Sequence, residues 1–317
     1  MESGFPCNLC GSLQRRLLYD VPDYTFHPDE TFPVVRCLDC GFIFVNRRPS
    51  LEEMGRYYPK DYYHEWEDEA CVFLRPNRVK LIQQVRSQGS ILDIGCHRGE
   101  FLAQMRERGW EVWGSEWSQR CCDYARKTFG LEHIFEGDFL SHRLPADSFD
   151  VVTLWHVLEH LFDPHKALVE VRRLLKRDGL LIVECPNFDS LARRLFGVKW
   201  HQFEAPRHLY HFTSRTLGRL MGRAGFSVIK TRGNTNLFGD LVDLRVGFMR
   251  SVGLYRLRAQ WRGDVQEGAM SSPNLLWRIA RSCFSSFCFM GALFAVFLGQ
   301  GSNLYVVCQK KGEPSNG

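Results

Sequence analysis

The chain lacks the features that would take it out of the ordinary globular class. Its opening, Met-Glu-Ser-Gly-Phe-Pro, has none of the basic, apolar and small-residue succession of a signal peptide, so a cytoplasmic protein is expected. Neither sign of charge dominates. Lys and Arg number 41 against 36 Asp and Glu, and the net charge of +5 argues only weakly for a nucleic-acid partner. The low apolar content of a disordered chain is missing too, since 44% of residues are apolar and 24% charged. What is present is length and thiol. A chain of 317 residues can build one large domain and a small one. Twelve cysteines without a secretory signal suggest a reducing compartment, where cysteine serves as metal ligand or core filler.

The thiols are concentrated in a pattern at the start. Cys7-Asn-Leu-Cys10-Gly11 and Cys37-Leu-Asp-Cys40-Gly41 are two copies of one knuckle, in which both thiolates can face one ion while the glycine relieves the turn. Redox dithiols or unrelated surface cysteines are the rival readings. The duplication favours a closed four-cysteine site for structural Zn2+, with no position left for a catalytic water. Leu17–Asp20, Phe32–Cys37 and Gly41–Val45 read as the strands of a zinc ribbon. Met54–Tyr63 follows as a tyrosine-rich linker, whose rings either pack the ribbon onto its neighbour or wall a substrate cleft. Glu65, Glu67, Asp68 and Glu69 read as solvated surface.

From Arg75 onward strands and helices alternate. The apolar run Ser90–Ile94 reads as a buried strand that stops at a turn carrying Gly95 and Gly99, before a helix with Phe101, Leu102 and Met105 on one face. Such a turn lets backbone N–H groups approach a ligand. Trp110–Glu116 is a second strand, and Glu116, with Trp117 beside it, ends about twenty positions past the turn, where a ribose-binding acid belongs. Leu131–Phe135 is a third strand, followed by Gly137-Asp138-Phe139, an acid and an aromatic that can bind and cover a base. Phe149–Leu154 is the fourth, and a helix Pro164–Lys176 leads through Arg177-Asp178-Gly179 into the fifth, Leu180–Cys185. Phe226–Thr231 and Asn303–Lys310 are the sixth and seventh. These lengths demand a doubly wound α/β fold with ligands at the carboxyl edge of its strands.

Together these segments resemble the class I S-adenosylmethionine-dependent methyltransferases. Asp93-Ile-Gly95-Cys-His97-Arg-Gly99 matches their first motif, Glu116 their ribose acid, and Gly137-Asp138-Phe139 their adenine-side motif. The resemblance implies a Rossmann-like seven-stranded sheet with the last strand antiparallel, and S-adenosyl-L-methionine as cofactor. It implies a cofactor site of Asp93, Gly95, His97, Gly99, Glu116, Trp117, Asp138 and Phe139, with His156 beside it. His97 stands where the family has its middle glycine; histidine visits unusual φ values more readily than most residues, so binding is expected to survive. With the paired knuckles, the chain is similar to members of that class acting on sugars and polar glycan intermediates. Through Leu158-Glu159-His160 and Asp163-Pro164 it also resembles the quinone O-methyltransferases.

Methyl transfer to a hydroxyl or carbon requires that a proton be removed, and histidine is the natural base near neutral pH. His156 and His160 follow the fourth strand, and His201, His208 and His211 follow the fifth. By resemblance to sugar C-methyltransferases, His208 is the active-site residue, with Glu159 and His160 as further catalytic candidates. The rival reading of His208 is a cap on the next helix. His201, His208 and His211 have no regular metal spacing. The division expected is a ribbon and linker over 1–60, a methyltransferase domain over 70–236 and 301–311, and a helical insertion over 237–300. The insertion pairs an arginine-bearing stretch, Leu241–Leu257, with the uncharged Cys283–Gly299. A single membrane span would strand the seventh strand across the bilayer from its sheet. Burial and membrane-surface docking remain, and docking suits a lipid-linked acceptor on a cytoplasmic protein peripheral to the inner membrane face. A small-molecule or lipid-linked acceptor is thus expected. The alternatives are a catalytically silent binding module, suggested by His97, and an RNA methyltransferase, opposed by the acids that offset Arg15, Arg16 and Arg36 on the ribbon.

Overall fold

Two sheets hold the chain, and a computed structural model describes residues 1–59, 78–233, 237–253 and 288–311 of it. The end of the tyrosine-rich stretch, the acidic run Glu65–Glu69, and 254–287 with Arg256, Arg258 and the start of the uncharged stretch lie outside the described residues.

The first sheet is the ribbon. Strands β1 (Arg15–Pro22), β2 (Thr31–Cys37) and β3 (Ile43–Val45) pair antiparallel in succession. A fourth strand was not legible in the sequence: β9 (Tyr210–His211) arrives from far downstream, pairing Ile43 with His211 and Phe44 with Tyr210. Two residues are too few to carry a strand pattern, and the pairing is decided by packing, with Phe42 stacked on Tyr210 at 5.4 Å. Beyond β3, the short helix α1 (Leu51–Met54) starts at Ser50, which forms a capping box with Glu53. A 3-10 turn over Gly55–Tyr57 follows. Tyr57 is buried and its hydroxyl donates to Glu30 at 2.7 Å, so this ring packs the ribbon. Tyr58 instead turns its hydroxyl toward His160, at 3.0 Å.

The second sheet has seven strands, in the order β10 (Phe226–Gly233), β11 (Asn303–Lys310), β8 (Leu175–Pro186), β7 (Phe149–Trp155), β4 (Ser90–Ile94), β5 (Glu111–Glu116) and β6 (Ile134–Glu136). Helix α2 (Arg78–Gln83) buries Val79 and Ile82 and leads to β4 (Ser90–Ile94), every residue of which is buried, as a central parallel strand requires. Then come α3 (Glu100–Arg106), β5 (Glu111–Glu116), and α4 (Gln119–Phe129), capped by the Ser118 side chain. The third strand, β6, covers only Ile134–Glu136, shorter and later than the apolar run suggested. Strand β7 (Phe149–Trp155) is anchored by Asp150, which accepts from Ser90 N at 2.9 Å, Arg86 at 2.6 Å and Lys176 at 2.7 Å.

The largest departure is at the next junction. Helix α5 (Pro164–Leu174) ends two residues earlier than expected, and β8 (Leu175–Pro186) begins at once. Arg177-Asp178-Gly179 therefore falls within the bounds of the strand, where the pairing jumps from Phe149–Leu175 to Val151–Leu180 and these residues bulge between paired positions. Helices α6 (Leu191–Phe196) and α7 (Ser214–Arg223) follow, and then β10 (Phe226–Gly233). The last strand, β11 (Asn303–Lys310), runs antiparallel between β10 and β8, as expected.

Between β10 and β11 lie α8 (Leu237–Ser251) and a helical segment over 288–297, α9. Gly247 lets α8 close on α6, since a Cβ there would sit 2.2 Å from the Phe196 ring. Helix α9 turns its small residues Cys288, Ala292 and Ala295 inward and leaves Phe289, Met290, Phe294 and Phe297 exposed. Among the described residues no helix is long and apolar enough to cross a membrane.

Candidate active site

The site begins where β4 ends. Gly95 and Gly99 have φ of 74° and 80°, and His97 between them has φ of 51°. A Cβ at Gly95 would lie 2.4 Å from Val157 Cγ2, and one at Gly99 would lie 2.9 Å from Ala125 Cβ. The first glycine lets the loop after β7 rest on the turn, and the second lets α3 pack on α4. His97 adopts the left-handed conformation without breaking the turn, and its N–H donates to Glu116 Oε2 at 2.9 Å. Buried Asp93 accepts from Thr153 at 2.6 Å, and burial raises its pKa to about 7.

Glu116 ends β5 with its carboxylate buried and held from both sides, by His97 N–H and by Ser118 N–H at 2.9 Å. Burial raises its pKa, and these amides pull the other way. Each oxygen keeps a lone pair for a further donor. This is a cradle of the size and chemistry that a ribose diol needs, so the residues present fit a nucleoside cofactor. Trp117 beside it is 63% exposed and presents an open aromatic face. Asp138 caps a 3-10 turn over Phe139–Ser141 by accepting from Leu140 N at 3.0 Å. The Phe139 ring is buried in the core, so it is not the open face over a base that its position suggested.

The loop after β7 carries a second group. His156 has φ of 58°, which places its Nδ1 3.4 Å from Glu159 and its Nε2 3.8 Å from Glu184, at the end of the neighbouring strand β8. Burial works against a charge here, yet the two carboxylates outweigh it and hold the His156 pKa at about 9. Glu184 is correspondingly held down at about 2, against the effect of its burial. Asn303, the first residue of β11, donates to Glu184 at 3.0 Å.

His160 and His208 meet edge to face, with ring centroids 4.6 Å apart. Leu209 N–H donates to Glu159 O at 2.8 Å, which ties the loop before β9 to the turn after β7. The His208 Nδ1–H donates to the Gln202 carbonyl at 2.8 Å, leaving Nε2 3.4 Å from Glu204. Burial and the neighbouring His208 push His160 down to about 4. Ligand atoms of Glu159, His160 and His208 all lie within 4.8 Å of one another, so the three candidate catalytic residues converge. His211 does not join them. It is buried among Phe188, Trp200 and Phe203, and its pKa falls to about 3 through burial.

Among the described residues the other set able to hold a metal is Cys7, Cys10, Cys37 and Cys40. Sγ atoms of Cys7 and Cys40 are 3.6 Å apart and those of Cys10 and Cys37 3.5 Å, with Gly11 and Gly41 in the left-handed conformation at the two knuckles. Four convergent thiols match a tetrahedral soft-metal site.

Glu184, Glu204 and Asn303 were not anticipated. Glu184 could have been found by the reasoning applied to Glu116, an acid at a strand's carboxyl end. Glu204 could have been found from its spacing of four to His208.

The chain is similar in sequence and fold to known proteins. The profile of the family described as "Methyltransferase domain" matches residues 63–231. A ubiquinone biosynthesis O-methyltransferase from Histophilus somni (strain 2336) is 29% identical over 168 residues, covering 45% of this chain and 71% of that protein. A malonyl-[acyl-carrier protein] O-methyltransferase from Serratia marcescens is 29% identical over 185 residues, covering 58% and 70%. Across the curated relatives compared, the match spans 51% to 71% of their length. A crystal structure of a SAM-dependent methyltransferase from Thermotoga maritima shares the fold with a TM-score of 0.50 at 18% identity, over 81% of this chain and 100% of that one.

Proposed function

The chain belongs to the methyltransferase-domain family and is a class I S-adenosylmethionine-dependent methyltransferase, and from that premise we propose that it methylates an oxygen or carbon nucleophile of a small polar acceptor, glycan-type or lipid-linked. One observation carries the reading. The glycine turn and the loop bearing His156, Glu159 and His160 touch at Gly95 and Val157, so a nucleoside cradle and a proton-handling cluster share one sheet edge. The curated relatives named above are O-methyltransferases, which favours oxygen.

Glu116 would hold the ribose, the turn from Gly95 to Gly99 with Asp93 and His97 the methionine end, and Trp117 and Asp138 the base. When bound, S-adenosylmethionine supplies an electrophilic methyl group on sulfur. His208 Nε2 takes the acceptor's proton, and Glu204 at 3.4 Å offsets the charge that appears on the ring. His160, at about 4, is too weak a base near neutral pH and instead braces the His208 ring edge-on. Glu159 positions the acceptor hydroxyl or shares its proton.

Two parts lie away from the chemistry. The four thiols, Cys7, Cys10, Cys37 and Cys40, would hold a structural zinc ion that fixes the ribbon. The exposed phenylalanines of α9 rest on a membrane surface, bringing the site to a lipid-linked acceptor.

The test is cofactor binding and turnover in single variants. Glu116→Ala should weaken S-adenosylmethionine binding by at least about tenfold in calorimetry, the loss of one charge-assisted hydrogen-bonding pair. His208→Gln should keep that binding and lower kcat by about 100-fold or more, the usual share of a general base. Unchanged affinity in the first variant, or full turnover in the second, defeats the assignment.

A further inference from the structure

The strongest unassigned feature is a set of buried acceptor atoms between α8 and the carboxyl edge of the sheet. Asp240 and Asp243 lie three residues apart, on one face of α8, and are 2% and 0% exposed. Asp240 Oδ1 accepts from Ser302 N–H at 2.5 Å, and Asp243 Oδ2 accepts from Trp200 Nε1–H at 3.0 Å. Their other oxygens have no partner among the described residues. Two atoms from a different part of the chain share that condition: Ser302 Oγ and Asn303 Oδ1, on residues 0% and 2% exposed.

Their position is fixed by the sheet. Because β11 is antiparallel to β8, its first residue Asn303 pairs with Pro186 at the carboxyl edge. The Asn303 amide nitrogen lies 3.2 Å from His156 Nε2 and 3.0 Å from Glu184. Buried polar atoms are almost always satisfied, and a group of four left open in one place calls for a ligand that satisfies them together. All four can accept. The open oxygens of Asp240, Asp243 and Asn303 lack a hydrogen donor among the described residues, and Ser302 Oγ can give or take one. Burial raises Asp240 to about 7 and Asp243 to about 8, the penalty a desolvated carboxylate carries until a hydrogen donor or a cation joins it. A carboxylate-bearing acceptor would meet two acids there, and a flat apolar ring would leave all four atoms unpaired.

We propose that Asp240, Asp243, Ser302 and Asn303 form the acceptor subsite, and that it takes a donor-rich group: the neighbouring hydroxyls of a sugar, or the ammonium of an amino sugar. This rests on the methyltransferase reading and narrows its acceptor. The inserted helix thereby belongs to the active site.

The full chain, loaded with S-adenosylhomocysteine, is titrated by calorimetry with UDP-glucose, glucosamine, anisole and malonate. Binding of UDP-glucose or glucosamine, with none of anisole or malonate, is expected. Asp243→Asn and Ser302→Ala should each weaken it about tenfold, the share of one buried hydrogen-bonding partner, while S-adenosylhomocysteine affinity stays unchanged. A larger loss for glucosamine in Asp243→Asn assigns the ammonium, and an equal loss the hydroxyls. Failure of the wild type to bind either donor-rich compound, or equal binding in both variants, overturns the subsite. Failure to bind S-adenosylhomocysteine overturns the methyltransferase reading instead, and the titrations then judge the subsite in the unloaded protein. Ser302→Ala keeps the Asp243–Trp200 contact, so it remains informative should Asp243→Asn fail to fold.

Discussion

His156 sits between Glu159 and Glu184 because its backbone is left-handed, and the two carboxylates give it a folded pKa of about 9 against 6.5 for a free histidine. Between those values the folded state binds the extra proton and the unfolded state does not. The stabilisation is therefore complete below 6.5 and is lost as the pH rises through about 9. Denaturation midpoints of the wild type should fall across that window, and those of His156→Gln should stay flatter. Parallel profiles would mean that the ring is neutral when folded. The sequence pointed to His156 through its place after a strand. It could not reveal the pair with Glu184, because that contact depends on two strands lying side by side in the sheet. The glycine turn and Glu116 were legible for the opposite reason: their spacing along the chain is set by one strand-turn-helix unit.

At the scale of elements, a buried ion pair joins the ribbon to the loop that bears His208. Arg207, next to His208, has no exposed side-chain surface and pairs with Asp23 at 2.9 Å, also fully buried, and with Glu204 at 3.3 Å. Its guanidinium also donates to the Tyr57 carbonyl at 3.3 Å. Removing one partner of such a pair leaves a charge without water, so Asp23→Ala should cost about 3–5 kcal/mol in denaturant unfolding. It should also lower turnover, although Asp23 belongs to the ribbon, because the loop loses its anchor beside His208. A stability loss below about 1 kcal/mol would place Arg207 in contact with water. The paired knuckles announced the ribbon, since local spacing defines it. Nothing local announced β9, or that α5 yields to β8 at Leu175, because both depend on distant pairing partners.

Across the whole molecule, α9 inverts the usual arrangement of a surface helix. Its small residues Cys288, Ala292 and Ala295 are buried, while Phe294 is 55% and Phe297 85% exposed. Small residues inward let α9 lie close to α8, where a Cβ on Gly291 would be 3.1 Å from Leu244. That packing leaves the large rings no core to enter. Exposed rings clustered on one helix mark a surface that another apolar phase covers. A bilayer interface suits it, because phenylalanine can enter the acyl boundary while the sheet stays in water, and Arg245 on the adjacent helix is exposed for anionic headgroups. The full chain should therefore float with vesicles containing phosphatidylglycerol, and Phe294→Asp with Phe297→Asp should abolish flotation while leaving S-adenosylmethionine affinity unchanged. If the wild type stays with the unbound fraction, the membrane reading fails while the methyltransferase assignment stands. The α8 carboxylates face the sheet edge and the α9 rings face outward, so one insertion would both recognise a polar acceptor and meet the surface that delivers it.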